Sequence, residues 1–470
     1  MTRKTRRLTF YIFLFLFIIL ALGIILYAQG YTFNLQKKSL VITGAFYLKS
    51  HPKEADIYIN NEYKGKTNKF IKRLTSGEYN IKISKSNYYD WQKTLEITSK
   101  LVTEAKNILL IKKNPILNLT THNPINYLSF SPDNKEIAYL TDKTISSTPI
   151  LCLIDLDENI DEQIYPLPSL NLKNLLKISW SNDKEKLLLH FPNNNYYILD
   201  LKNQSKIINL NNLIYSLSNY KIYDVENLLF HPQNSNKIYF SFKNNLYFIE
   251  LDKSDFYKSL ISPPIISDIL TYAIYNNNIL YIKRLSGNLY KTSFETSSFK
   301  KIFEIPLLMP EQTAKIINDE IFMIDNILYL FKPQTQVLEK IAGEVQEIHF
   351  SDNEEKLLWR TEDEIGVVWL TSESEQPLKK QYETEIIIRM PGKISQTVWY
   401  SKTNQHIIFV EENEIKIVEL DNRKQRNITN ILPQDNLNFS IEKPKILYSK
   451  WNEKLYILSK KQLFEIDMSY

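Results

Sequence analysis

The chain of 470 residues contains one cysteine, Cys152, nine glycines and six histidines. One thiol cannot make a disulfide framework, so packing alone must hold the fold. No Gly-x-Ser-x-Gly elbow occurs anywhere, which removes the usual serine-hydrolase signature. The Gly65-Lys66-Thr67 triplet lacks the upstream glycine and the following apolar helix of a phosphate-binding loop, and it reads as a turn. His51, His122, His190, His231, His349 and His406 never pair at metal-ligand spacing. His231 and His349 sit beside aromatics at equivalent repeat positions, as turn or core residues do. Asp155-x-Asp157-x-Asn159-x-Asp161 has the rhythm of a calcium loop, but Ile160 stands where a glycine is needed and Pro166 where a glutamate should close the loop. The acidic runs 362–364 and 411–412 flank predicted turns and read as solvated. No catalytic, cofactor-binding or metal-binding residue is assigned, and no cofactor is expected.

Charge of one sign is also missing from most of the chain. The formal net charge is +5, but Arg3, Lys4, Arg6 and Arg7 supply four of the 58 basic residues. Without them 54 bases face 53 acids, a formal +1, which argues against nucleic acid as a partner.

What is present begins at the N-terminus. Residues 8–28 carry no charge. At about 1.5 Å per residue the run reaches roughly 30 Å, the thickness of a bilayer's hydrocarbon core, where a single helix satisfies its own backbone. The four cations precede it and no acid does, so the positive-inside rule leaves residues 1–7 as a cytoplasmic tail and places everything after residue 28 outside. A cleaved signal peptide would have an apolar stretch of about 7–15 residues and a small-x-small site. Here the run is longer, and Leu26 stands where the first small residue belongs, so the segment reads as an uncleaved anchor. An exported protein without disulfides fits a bacterial envelope better than a eukaryotic secretory pathway.

Residues 29–42 read as a short stalk. From residue 43 short alternating segments follow, among them Asp56-Ile57-Tyr58-Ile59, Tyr79-Asn80-Ile81-Lys82-Ile83 and Lys93-Thr94-Leu95-Glu96-Ile97, separated by turn residues. Pro52-Lys53-Glu54-Ala55, Asn60-Asn61, Gly65-Lys66-Thr67 and Ser76-Gly77-Glu78-Tyr79 mark four turns in that order. Their order and spacing over 43–112 resemble the PEGA domain, although two glycines are missing and Asn68 replaces a proline. The resemblance implies a small extracytoplasmic β-sandwich beside a membrane helix, without catalysis.

Beyond Asn114-Pro115 the chain repeats itself. Units such as Tyr127-Leu128-Ser129-Phe130-Ser131-Pro132-Asp133-Asn134-Lys135 and Ile178-Ser179-Trp180-Ser181-Asn182-Asp183-Lys184 end a strand in an aromatic, turn, and return in an apolar strand. Copies begin near Leu229, Ile348, Val398 and Tyr448, with weaker ones near Tyr272 and Lys315. Four strands at a period of about 45–50 residues are the mark of a propeller blade. The units are similar to the TolB-like branch of β-propellers. The architecture expected is therefore mainly β: a transmembrane helix, a PEGA-like domain at 43–112, and a propeller of eight blades, with seven as the alternative, over 113–470. No helix of useful length is expected after residue 114. The last unit ends on its third strand near Asp467, and 116–120 look like a fourth strand, so the two are expected to pair and close the ring.

The functional expectation is a non-enzymatic extracytoplasmic protein that binds a protein or a cell-wall polymer and is held to the membrane by one helix. The alternative is a glycan lyase or hydrolase with its site at the central channel. On this topology, protease added outside intact cells or spheroplasts removes the propeller. Protection of the propeller, with only the first residues accessible, would reverse the orientation.

Overall fold

The computed structural model describes residues 3–34, 39–120, 124–142, 149–156, 163–167, 175–202, 207–218, 221–252, 255–294, 299–304, 313–432 and 441–469. The N-terminal helix runs Arg3–Ala28, five residues longer than the apolar run because the basic flank forms its first turn. It is long and apolar enough to cross a membrane, and none of its residues is buried. Gly30, at φ +82°, turns the chain out of the helix. Its carbonyl accepts from both the amide (3.0 Å) and the hydroxyl (2.7 Å) of Thr43. The expected stalk is thus a hairpin: Tyr31–Asn34 pairs with the start of Ser39–His51, a strand that continues into the next module.

That module has two four-stranded sheets. One contains Tyr31–Asn34, Ser39–His51, Lys69–Thr75 and Val102–Leu109; the other orders Glu62–Lys66, Asp56–Ile59, Gly77–Ser84 and Trp91–Ile97. Alternation along each strand sends one set of side chains inward, and Phe46, Leu48, Ile57, Ile81, Trp91 and Leu95 form their shared core. Asn60 and Asn61 both take positive φ, as a two-residue hairpin turn requires.

From residue 117 onward the described residues form eight four-stranded antiparallel sheets. Seven are simple meanders, from Tyr127–Phe130 through Gln163–Pro166 in the first to Ile394–Trp399 through Ile428–Asn430 in the seventh. The eighth contains Lys445–Ser449, Lys454–Ser459 and Gln462–Asp467, with Leu117–Leu119 as its outer strand. Leu117 pairs with Ile466, Asn118 with Glu465 and Leu119 with Phe464, so the start of the region completes its end.

Each seam between neighbouring sheets has its own apolar cluster. Leu188 and Ile198 of the second sheet pack with Ile238 and Ile249 of the third. Leu280 and Ile282 of the fourth meet Phe322 and Phe331 of the fifth. The last seam joins Tyr456, Leu458 and Leu463 to Ile137, Tyr139 and Cys152 of the first sheet. Seams between the remaining neighbours are filled in the same way. A closed succession of four-stranded sheets packed face to face is a β-propeller.

The turn after the inner strand of the first, second, sixth, seventh and eighth sheets explains how so few glycines suffice there. Ser131 Oγ donates to Asp133 Oδ1 (2.7 Å) and accepts from the amide of Glu136 (2.9 Å); Ser181 repeats both bonds. Asn134, Lys184, Glu354, Asn404 and Glu453 occupy the left-handed position of this turn, where a glycine would be free of strain. The one α-helix after residue 114 among the described residues, Leu210–Leu217, departs from expectation. Asn209 caps it, accepting from the amide of Asn212, and Leu210, Leu213 and Ile214 are buried against the seam of the second and third sheets.

Closure generates a prediction. The double substitution Leu117→Asp with Asn118→Pro removes an apolar contact at the seam of the seventh and eighth sheets and breaks the pairing with Glu465. It should cost at least about 2 kcal/mol and lower the melting temperature of the full chain by several degrees in scanning fluorimetry. Ile116→Asp, at a position 77% exposed, should leave it unchanged. Equal melting of both variants would contradict closure by this strand.

Candidate functional site

The way the 43–110 module docks decides which propeller face is free. In each sheet the turns after the first and third strands lie on one face, and the turns after the second strand lie on the other. The docking contacts all use the first face. Trp91 Nε1 donates to Glu419 Oε2 (2.9 Å), and Lys93 Nζ lies 2.7 Å from Glu419 Oε1 and 3.5 Å from Asp421 Oδ1. The Lys93 side chain is fully buried, so this cation is paired on both sides. Burial works to raise the Asp421 carboxyl, but Arg423 and then Lys93 outweigh it and hold it below the usual range. Gln376 bonds the module's backbone like an added strand residue, accepting from the amide of Glu104 and donating to the carbonyl of Val102, both at 3.0 Å. Leu109 and Ile111 enter the seam between the seventh and eighth sheets. His406 lies beneath this contact; burial, with His51 and Lys93 nearby, pushes it down to about 3 and keeps the imidazole neutral.

On the opposite face a cavity of about 820 Å³ opens beside the inner strands of the sixth, seventh and eighth sheets. Glu347, Lys393, Gln396, Asn413, Lys443 and Lys445 are among its lining residues. Its floor is rigid. Gln396 donates to the carbonyl of Ile446 (3.0 Å) and accepts from its amide (2.7 Å), stitching the seventh sheet to the eighth. Glu347 Oε2 accepts from Arg360 Nε (3.0 Å) and from the amide (3.2 Å) and hydroxyl (3.3 Å) of Thr397. Glu347 Oε1 lies 3.0 Å from His349 Nε2. Burial works to raise the Glu347 carboxyl, but His349 and Arg360 hold it low. Arg360 is itself buried and donates to Gln346 Oε1 (2.7 Å) and the carbonyl of Ile394 (2.8 Å). A carboxylate so occupied is a poor proton acceptor at neutral pH. The rest of the lining is mixed in charge: Lys393, Lys443 and Lys445 stand beside Glu412, Glu442 and the amide of Asn413, a surface that can both donate and accept hydrogen bonds.

The residues singled out in the sequence are scattered. Among the described residues no group of three His, Cys, Asp or Glu side chains could hold a metal ion. His231 stacks against Phe294 at 4.3 Å, and its Nδ1 accepts from the amide of Gln233. Residues 157–162 of the calcium-like stretch lie outside the described residues. The acidic runs correct the expectation of solvation in one respect. Glu411 is buried and pairs with Lys416 Nζ at 2.6 Å, across a hairpin. Glu362 and Glu364 pair with Lys393 and Arg389. Sequence reading missed the Glu347–His349–Arg360 group. Its one visible signal is the i, i+2 spacing of Glu347 and His349 on one face of a strand.

Residues 43–110 match the model of the PEGA domain family. No curated protein sequence matches the chain. Among solved structures, the chain is similar to the Dos1 propeller, at 14% identity and a TM-score of 0.45, over 76% of this chain and 95% of that one. It is also similar to the β-propeller domain of Cps50 (Swd1) from Myceliophteria thermophila, at 14% identity and a TM-score of 0.41, over 75% of this chain and 99% of that one. A third likeness is to PorZ, a bacterial surface component of the type-IX secretion system of Porphyromonas gingivalis, at 14% identity and a TM-score of 0.38, over 73% of this chain and 43% of that one. With TM-scores below 0.5, the propeller assignment rests on the strand order and the closed set of seams. The chain therefore joins a PEGA domain to a β-propeller behind an apolar N-terminal helix.

Docking is testable through its buried cation. Lys93→Met leaves Glu419 and Asp421 without that partner and should destabilise the full chain by about 3–5 kcal/mol. Adding Glu419→Gln should recover part of the loss in a double-mutant cycle of chemical denaturation. Independent, additive effects would mean the two side chains do not interact.

Proposed function

We propose that this protein is a membrane-anchored, extracytoplasmic binding protein. On this reading the helix tethers it, the PEGA domain sets the propeller off the membrane, and the free propeller face engages a protein or a cell-wall polymer of the bacterial envelope. The observation that carries the reading is the division of the propeller's two faces. One is occupied by the PEGA domain through Trp91, Lys93 and Gln376. The other presents an open cavity lined by lysines and glutamates over a hydrogen-bonded floor. The polar lining, with donors and acceptors side by side, favours a ligand rich in hydroxyl and amide groups. Tethering raises the local concentration of the propeller near partners at the same surface, so modest intrinsic affinity is enough.

The binding reading is favoured over the glycan-enzyme alternative by the state of Glu347. An acid–base mechanism on a glycan uses two carboxylates in different protonation states. Of the three glutamates that line the cavity, Glu347 is the one on an inner strand, and its Oε2 is engaged by Arg360 and Thr397; Glu442 pairs with Lys460 at 2.8 Å. The full chain in nanodiscs should retain a wall or envelope-protein fraction from its own organism and leave glycans and peptides intact. Replacing Lys443 and Lys445 by Gln should weaken retention by about tenfold or less, since solvent-exposed charges contribute modestly. Reproducible turnover that Glu347→Gln abolishes would establish the enzyme instead.

A further inference from the structure

A second groove lies where the helix meets the PEGA domain. It has a volume of about 840 Å³ and is walled by segments 27–31, 43–45, 72–73 and 100–102. Its charged lining residues are Lys72, Arg73 and Lys100, with no acid among them. Among the described residues none of the three takes part in an ion pair. Exposed apolar side chains, Leu101 and Val102, are part of its wall, and the hairpin that leaves it carries two more, Phe33 and Leu40, paired across its strands.

The backbone aims these groups. Strand Lys69–Thr75 pairs Gly44 with Leu74 and Ala45 with Lys72, so Arg73 is the extra residue of a bulge, at φ +66°. Bulges re-aim side chains. This one carries the Arg73 guanidinium to 3.5 Å from the centre of the Tyr27 ring, on the last turn of the helix. Lys100 is also left-handed, at φ +66°, in a turn pressed against the strand at Gly44. A Cβ at Gly44 would lie 2.5 Å from the Thr98 carbonyl, so only glycine lets that turn come so close. The Gly30–Thr43 bonds hold the helix exit in the same place.

Resting on the reading of the helix as an anchor, we propose that this groove seats the phosphate headgroup of an anionic phospholipid in the leaflet from which the helix emerges. Two observations select that occupant. The groove is continuous with the membrane-spanning helix, since Tyr27 and Ala28 form part of its wall. Its charge is uniformly positive, on the side of the helix where the distribution of Lys and Arg normally disfavours cations. Aromatic and aliphatic side chains beside cations at a helix end match the apolar-to-charged gradient of the interface.

The test is lipid retention by the detergent-solubilised full chain in native mass spectrometry, titrated with phosphatidylglycerol or phosphatidylcholine. The wild type should retain phosphatidylglycerol preferentially. The variant Lys72→Gln, Arg73→Asn, Lys100→Asn should lose that preference, by about fivefold per cation removed. Asn is chosen because it tolerates the left-handed backbone. The charge-preserving variant Lys72→Arg, Arg73→Lys, Lys100→Arg should keep the preference. Equal retention of the two lipids by the wild type, or an unchanged preference in the neutral variant, would overturn the proposal. Displacement of the lipid by inorganic phosphate alone would also overturn it, in favour of a free-phosphate site. Carbonate extraction separates this outcome from failure of the anchor: a chain that leaves the membrane refutes the anchor, whereas one that stays but shows no preference refutes the lipid site alone.

Discussion

Eight sheets in a circle need eight seams, and the last depends on three residues that precede the first sheet. Leu117, Asn118 and Leu119 pair with the third strand of the final sheet, so the chain ties its own ring shut. Without them that sheet would end in an unpaired edge, and an open edge invites pairing with other chains. Closure also lets Tyr456 and Leu463, of the last sheet, bury against Tyr139 and Cys152 of the first. Rigidity at the channel mouth follows, because Gln396 and Glu347 can stitch neighbouring inner strands only when the sheets are held in register.

The closing strand also sits next to the PEGA domain in sequence, so docking and closure are coupled. Leu109 and Ile111 enter the seam of the seventh and eighth sheets a few residues before the closing strand begins. Lys93, buried between Glu419 and Asp421, then fixes the rotation of one module on the other. A buried ion pair is weak evidence of stability, since a fitted apolar cluster does as well. Its use here is geometric: a misplaced domain would separate Lys93 from Glu419, while Asp421 would keep Arg423. That penalty selects one docking and leaves one propeller face open.

Much of this was legible in the residues. The repeat of aromatic, turn and apolar strand marked the sheets, and the missing fourth strand after Asp467 pointed to 116–120. The turn order marked the PEGA domain, because each turn needs particular backbone conformations at fixed intervals. What escaped was tertiary. Helix Leu210–Leu217 has about two turns, shorter than the window in which a 3.6-residue period stands out. The hairpin at residues 31–42 looked like a stalk because its paired segments are four residues each and their register is set by Gly30 and Thr43. Glu411 looked solvated because its partner Lys416 is brought to it by a hairpin. Lys93 alternates with Trp91 and Leu95 as an inward position, but its partners Glu419 and Asp421 lie far away in sequence. The Glu347–Arg360 group needs the pairing of two strands and the approach of a third from the next sheet.

The central claim is that the PEGA domain holds the propeller in one orientation with the cavity face turned away from it. The most direct measurement is the distance distribution between spin labels at Glu62→Cys on the PEGA domain and Glu412→Cys on the cavity face, in the full chain reconstituted in nanodiscs. Both positions are exposed, and the native Cys152 is buried. The account predicts a single narrow distribution. A broad or multiply peaked distribution would contradict it, because it would mean that the propeller swings freely on the domain that tethers it.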